Sequence, residues 1–72
     1  MAVTLYSLPS CPYSRAMRDD LTRREVAFTE IDVAARPECV VELVKLTRKR
    51  RIVPVLVDGA RIEIAPDGGT EF

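Results

Sequence analysis

Histidine is absent from this 72-residue sequence, so any nucleophile in it must react without an imidazole base. The formal net charge is zero, with eleven basic and eleven acidic residues, and this balance predicts binding to neither nucleic acid nor a membrane. The sequence lacks a signal-peptide pattern and any apolar run of membrane-spanning length. Its two cysteines are too few for a secreted disulfide framework. We therefore expect a single domain over residues 1–72, located in the reducing cytoplasm.

Segments of strand and helix character alternate along the chain. The predicted segments are a strand at 2–7, a helix at 13–25, a strand at 27–33, a helix at 37–49, and strands at 53–57 and 61–65. Pro12 suits the first turn of the first helix, and Asp58-Gly59 is typical of a hairpin turn. A right-handed crossover makes the first two strands parallel, and the hairpin adds an antiparallel pair. The order βαβ-ββ predicts an α/β fold with a four-stranded mixed sheet and two helices.

Cys11 lies between the first strand and the first helix. A thiol at a helix N-terminus is close to unpaired backbone N–H groups and to the positive end of the helix dipole. Both favour the thiolate, which is the nucleophilic form, and Arg15 and Arg18 add positive charge one turn further on. This position predicts a reactive thiol that is suited to sulfur–sulfur exchange. Cys39 instead precedes Val40 on the apolar side of the second helix, which predicts a packing role, with a resolving thiol as the alternative.

These features resemble the glutaredoxin family within the thioredoxin-fold superfamily. The resemblance rests on Cys11-Pro12-Tyr13 after a strand and on Ile52-Val53-Pro54 later in the chain. It implies that Cys11 is the catalytic residue, that Pro54 follows a cis peptide bond and faces the thiol, and that the Val53 backbone pairs with the peptide-like part of glutathione. The glutathione groove that it implies consists of Pro12, Tyr13, Arg51, Val53, Pro54, Gly69 and Thr70.

The sequence departs from the family pattern in three places. Ser14 stands where dithiol members have a second cysteine, which implies a mechanism with one thiol. Leu8 replaces a common lysine, so the basic run Arg48–Arg51 is expected to supply contacts to carboxylates. The third helix of the fold is missing after Gly68-Gly69. Without it, we expect alternate side chains of Val55, Leu56 and Val57, with Ile62 or Ile64, to face water and to favour a homodimer.

The resemblance implies a thiol–disulfide oxidoreductase that uses glutathione, or a similar small thiol, as co-substrate. Its partners would be glutathionylated or disulfide-containing proteins, without a metal or a tightly bound cofactor. One rival function is an iron–sulfur cluster held between two protomers by Cys11 and bound glutathione, although Pro12 and Tyr13 replace the smaller residues often found in cluster carriers. A second rival is the function of a glutathione-transferase-like amino-terminal domain. A third is a non-catalytic interaction module, in which Cys11 would have an ordinary thiol pKa.

Overall fold

The computed structural model describes residues 3–72, which form six strands and two α-helices. The elements in chain order are β1 (Val3–Ser7), α1 (Pro12–Arg23), β2 (Thr29–Asp32), a 3₁₀ turn (Pro37–Cys39), α2 (Val40–Leu46), β3 (Ile52–Val53), β4 (Val55–Asp58), β5 (Arg61–Ile64) and β6 (Thr70–Glu71). The predicted first strand began at Ala2, which lies outside the described residues. The segment after β5 forms turns and β6, and residues 3–72 contain no third α-helix.

Four of the strands form one mixed sheet in the order β2-β1-β4-β5. β1 is parallel to β2 and antiparallel to β4, and β4 pairs with β5 as a hairpin. The hairpin loop begins at Gly59, whose φ of 61° is a conformation that glycine adopts without strain. This arrangement confirms the predicted βαβ-ββ order and mixed sheet. β3 and β6 form a separate two-stranded sheet, which the sequence did not predict.

Both helices are shorter than predicted. α1 begins at Pro12, as expected, and ends at Arg23, and Glu25 then adopts a φ of 59°. The predicted second helix opens as the 3₁₀ turn at Pro37 and ends at Leu46. Arg48 and Lys49, predicted as its last residues, have φ values of 57° and 73°. A helix cannot continue through such left-handed positions.

The core consists of two hydrophobic clusters, one on each face of the sheet. Adjacent residues of β1 belong to different clusters, because side chains alternate between the faces of a strand: Leu5 packs with Leu21 of α1, and Tyr6 packs with Leu43 of α2. The α2-side cluster contains Tyr6, Cys11, Val33, Leu43, Val53 and Val55. The two helices thus cover opposite faces, and the candidate nucleophile lies within the core of the α2 side.

The prediction that side chains of the hairpin face water is wrong for Val55 and Leu56 of β4. Val55 is fully buried and Leu56 is 8% exposed, since each belongs to one of the two clusters. Ile62 of β5 is exposed at 41%, and Val57 and Ile64 are partly buried. A broad apolar patch is therefore not present on β4. The homodimer inferred from it stays a prediction.

Candidate active site

Cys11 is positioned by a tight turn between β1 and α1. Its backbone N–H donates to the Leu8 carbonyl over 3.1 Å, and its own carbonyl accepts from the Arg15 N–H over 3.1 Å. Cys11 is therefore the N-cap of α1, and its sulfur accepts from the Ser14 backbone N–H over 3.4 Å. The thiol is 0% exposed. The strand–turn–helix geometry thus places one sulfur at a helix N-terminus, as the sequence predicted, but inside the core.

Hydrogen bonds set the ionisation of this thiol. Burial raises the pKa of Cys11. Four hydrogen bonds lower it, and together they outweigh burial: they come from the side chains of Ser14 and Thr70 and from the backbone of Ser14 and Tyr13. The net pKa is therefore below the ordinary value of a cysteine, which favours the thiolate. In the neutral form the S–H donates weakly to the Val53 carbonyl, with 3.9 Å between sulfur and oxygen.

Arg15 and Arg18 were predicted to favour the thiolate, but they are not among the groups that lower the pKa of Cys11. Arg18 instead forms an ion pair with Glu30, with 3.4 Å between Nη1 and Oε2, and Arg15 is exposed. Charges at the surface are screened by water and salt, whereas donors that contact the sulfur act at short range. Local donors, two of them hydroxyl groups, therefore replace the charges that the sequence analysis invoked.

Val53 and Pro54 lie opposite the thiol. The peptide bond between them is cis, as predicted, and both side chains are fully buried. The bond separates β3 from β4, so the Val53 carbonyl is directed towards Cys11 while Val55 enters the main sheet. The two motifs on which the family resemblance rests are therefore in contact in the folded chain.

β6 occupies the backbone edge at which glutathione was expected to pair. Val53 pairs with Thr70, and Ile52 pairs with Glu71, in an antiparallel ladder. Gly69 packs so closely here that a Cβ atom on it would collide with the Val53 carbonyl oxygen and lie 2.8 Å from the Ala65 Cβ. Gly69 and Thr70 thus lie next to Val53, where they contact the chain itself, and their role in binding glutathione stays a prediction.

Arg51 lies at the outer end of this pairing, next to a residue that the sequence analysis missed. Its guanidinium carbon is 5.0 Å from the centre of the Phe72 ring, and its carbonyl accepts from the Phe72 N–H over 3.0 Å. Phe72 also packs against the α2-side cluster that contains Cys11. The only signal for β6 was the short run Thr70-Glu71-Phe72 after two glycines, which is too short to predict a strand.

Tyr13 borders a groove beside the thiol. Its side chain is 44% exposed, and its ring packs against Gly68, where an added Cβ would lie 2.9 Å from Cε1. The groove has a volume of about 440 Å³ and is lined by Tyr13, Pro54 and Gly68 on the side of the site, and also by Glu63 and Asp67. Pro12 is exposed at the start of α1. Cys11 itself does not line this groove.

Cys39 packs, partly buried, against the same cluster that contains Cys11, and both thiols are free. This placement agrees with the predicted packing role. Within residues 3–72, no group of three or more His, Cys, Asp or Glu side chains converges in a way that could hold a metal ion. No helix in that part of the chain has the length and apolar character needed to cross a membrane.

Comparison with known proteins places these features in a family. The model of the glutaredoxin family matches residues 3–62. Among solved structures, the chain is similar to the glutaredoxin-like protein NrdH-redoxin from Escherichia coli, whose structure was described as the basis of a thioredoxin-like activity profile. That match has a TM-score of 0.75 and 25% identity, and it covers 89% of this chain and 82% of the other. A search of curated proteins found no match.

Proposed function

This chain belongs to the glutaredoxin family, and we propose that it is a thiol–disulfide oxidoreductase in which Cys11 acts as a single-thiol nucleophile. One observation carries the proposal: a thiol at the N-cap of α1 has a lowered pKa and lies 3.9 Å from the carbonyl that precedes a cis-proline. A lowered pKa increases the fraction of thiolate near neutral pH. The same thiolate becomes a good leaving group when the resulting disulfide is resolved.

The proposed reaction has two exchange steps. The Cys11 thiolate attacks the glutathione sulfur of a mixed disulfide, a new sulfur–sulfur bond forms, and the substrate sulfur leaves with the electron pair and takes up a proton. A second glutathione, as its thiolate, then attacks the glutathione sulfur bound to Cys11. This step releases the Cys11 thiolate and glutathione disulfide, so each cycle consumes one free glutathione and moves the disulfide bond from the substrate to glutathione.

Ser14 supports the single-thiol mechanism. A hydroxyl group cannot form a disulfide with Cys11, so the motif has no internal route to resolve a mixed disulfide with a protein. Ser14 is 1% exposed and hydrogen-bonds to Cys11, and its oxygen also accepts from the Leu8 N–H over 3.4 Å. The residue in the position of the second thiol therefore activates the first one instead.

A second candidate differs only in the reductant. The similarity to a glutaredoxin-like protein with a thioredoxin-like activity profile favours a reductant other than glutathione. Two residues support this candidate: Leu8 lacks the charge to hold a carboxylate, and Thr70 occupies the Val53 backbone edge. In that case another small thiol or a reductase protein regenerates Cys11, and the chemistry at the sulfur is unchanged. For either reductant we propose the cytoplasm as the location, because reduced thiols persist there.

An iron–sulfur cluster fits the residues less well. A cluster needs several thiolate ligands, and Cys11 is the one thiol at the start of α1, whereas Cys39 lies at the start of α2. Two protomers and external thiols would therefore have to complete the ligand set around a sulfur that is 0% exposed. We propose that catalysis involves neither a metal nor a tightly bound cofactor. Visible absorption after anaerobic reconstitution with iron and sulfide would overturn this view.

Turnover of a glutathionylated peptide tests the proposal. The wild-type chain, Cys11→Ser and the matched control Cys39→Ser are compared with glutathione, and in parallel with a thioredoxin-type reductase, as the electron source. We expect turnover that is lost in Cys11→Ser and kept in Cys39→Ser. Loss in both folded variants would make Cys39 a resolving thiol and refute the single-thiol mechanism. Absence of turnover by the wild type with every reductant would refute the oxidoreductase proposal.

A further inference from the structure

The nucleophile of the proposed reaction is covered by the chain itself. Disulfide exchange requires a second sulfur to reach Cys11, yet the residue is 0% exposed and the neighbouring groove does not include it. The segment Thr70–Phe72 lies beside the thiol. Thr70 pairs with Val53, whose carbonyl oxygen lies 3.9 Å from the Cys11 sulfur, and Phe72 packs against the cluster that contains Cys11.

This segment makes the contacts expected of a bound peptide. It is extended and antiparallel to β3, so its backbone occupies the edge that the family resemblance assigned to the peptide-like part of glutathione. The Phe72 N–H extends the pairing to the Arg51 carbonyl, and the Phe72 ring contacts the Arg51 guanidinium. Substrate backbone and residues Thr70–Phe72 therefore cannot occupy this edge together.

The structure also shows why this segment can open. β6 has two residues and pairs only with β3, which has two residues itself. Glu71 is exposed and Thr70 is half-buried. Gly68 and Gly69 precede the segment, and Gly68 has a φ of 115°, a conformation available to glycine. Short elements that are held by few backbone pairs belong to the part of a protein that opens most readily.

We propose that residues Thr70–Phe72 form a strap that covers Cys11 and competes with substrate for the β3 edge. The inference rests on the proposed function and adds a substrate class to it: disulfides with an extended peptide backbone. A peptide disulfide replaces the strap pairing with its own hydrogen bonds. A small disulfide without a peptide backbone has no such replacement and reacts only after the strap opens spontaneously. The strap thus protects the thiol from adventitious oxidation and selects for peptide substrates.

Two variants release the strap from different contacts. Gly69→Ala places a methyl group against the Val53 carbonyl oxygen and the Ala65 Cβ, so β6 cannot pair as it does. Phe72→Ala removes the contacts of the ring with the Arg51 guanidinium and with the core, while the backbone bond to Arg51 is kept. Glu71→Gln is the matched control, because its side chain is exposed and β6 pairs with β3 through the backbone. Circular dichroism and thermal melting show whether each variant is folded.

The first measurement is the alkylation rate of Cys11 by iodoacetamide, read by mass spectrometry so that Cys39 is counted separately. We expect both release variants to react about tenfold faster than the wild type, which corresponds to a change of about 1.4 kcal/mol in the opening equilibrium. Glu71→Gln should react at the wild-type rate. Unchanged Cys11 labelling in both folded release variants would overturn the strap.

The second measurement compares a glutathionylated peptide with hydroxyethyl disulfide, which has no peptide backbone. At a saturating concentration of the peptide, which displaces the strap by itself, release should leave the turnover of the peptide unchanged, whereas the reaction of hydroxyethyl disulfide should accelerate about tenfold. Equal acceleration of both would refute the competition for β3. Faster labelling without turnover of either disulfide would support the strap and refute the proposed oxidoreductase. Turnover with unchanged labelling would support the oxidoreductase and refute the strap.

Discussion

The hydroxyl group of Ser14 is expected to stabilise the Cys11 thiolate, and Ser14→Ala tests this directly. The substitution removes the side-chain hydrogen bond, which is the largest of the contributions that lower the pKa of Cys11. It keeps the backbone N–H of residue 14, which lies 3.4 Å from the sulfur. Alanine also suits a helix, so α1 itself should not be disturbed.

The size of the expected change in the pKa of Cys11 follows from the burial of Ser14 and Cys11. Ser14 is 1% exposed and Cys11 is 0% exposed, so water does not replace the lost donor. A hydrogen bond to a charged group contributes about 1.5–3 kcal/mol, and each 1.4 kcal/mol is about a factor of ten in an equilibrium. We therefore expect the pKa of Cys11 to rise, because its ionisation equilibrium should shift at least about tenfold towards the neutral thiol. The Leu8 N–H also loses an acceptor, which costs about 1 kcal/mol of folding stability.

The assay is a titration of the thiolate by its ultraviolet absorbance, in a Cys39→Ser background so that one thiol is observed. Absorbance reports ionisation whether or not a reagent can reach the sulfur, so the covering of the sulfur does not block the reading. Ser10→Ala serves as the control, because Ser10 is an exposed hydroxyl in the turn before Cys11. A titration of Ser14→Ala that coincides with that of the parent would refute the view that neutral donors activate the thiol.

Three further predictions concern stability and are measured by urea unfolding. Leu43→Ala should lower the free energy of unfolding by about 2–5 kcal/mol, because Leu43 is fully buried, whereas Val41→Ala, at a side chain 59% exposed, should change it by less than about 0.5 kcal/mol. Gly59→Ala should cost about 1 kcal/mol, since φ is 61° there. The pKa of Cys11 is lower in the folded chain than its ordinary value, so the free energy of unfolding should rise with pH from the folded-state pKa up to the ordinary value. That contribution is lost as pH falls through the folded-state pKa, and Cys11→Ser should abolish the rise.

Local signals in the sequence were sufficient to predict the main sheet. Strand-type runs, Pro12 at a helix start and the hairpin at Gly59 each act over a few residues, and the structure contains all three. The end of α2 was not predicted, because Arg48 and Lys49 are ordinary helix formers that adopt left-handed φ values here. The burial of Val55 and Leu56 was also missed, since it depends on how both helices pack rather than on the strand's own pattern.

The sequence was sufficient to predict that the two motifs of the site come together. Cys11 and Val53-Pro54 were expected to meet, and the sulfur does contact the Val53 carbonyl. The origin of the lowered pKa was predictable in part, because the Ser14 and Tyr13 backbone N–H groups belong to the helix start that was expected to favour the thiolate. The Ser14 hydroxyl and Thr70 were not expected, and Thr70 comes close to Cys11 only because β6 pairs with β3. Arginines near a cysteine in sequence suggested a charge effect, but Arg18 contacts Glu30 instead.

Thr70 links the activation of the nucleophile to its accessibility. Its hydroxyl is one of the groups that lower the pKa of Cys11, while its backbone is part of the strap that covers the sulfur. When the strap opens, the sulfur becomes accessible but loses this donor, so its remaining stabilisation comes from Ser14 and the start of α1. A peptide substrate that pairs with Val53 displaces Thr70 at the moment of attack. The thiolate therefore loses a hydrogen bond when it becomes able to react, and a less stabilised thiolate is a stronger nucleophile. Covering and activating the thiol through the same residue thus favours reaction with a bound substrate over reaction with a passing oxidant.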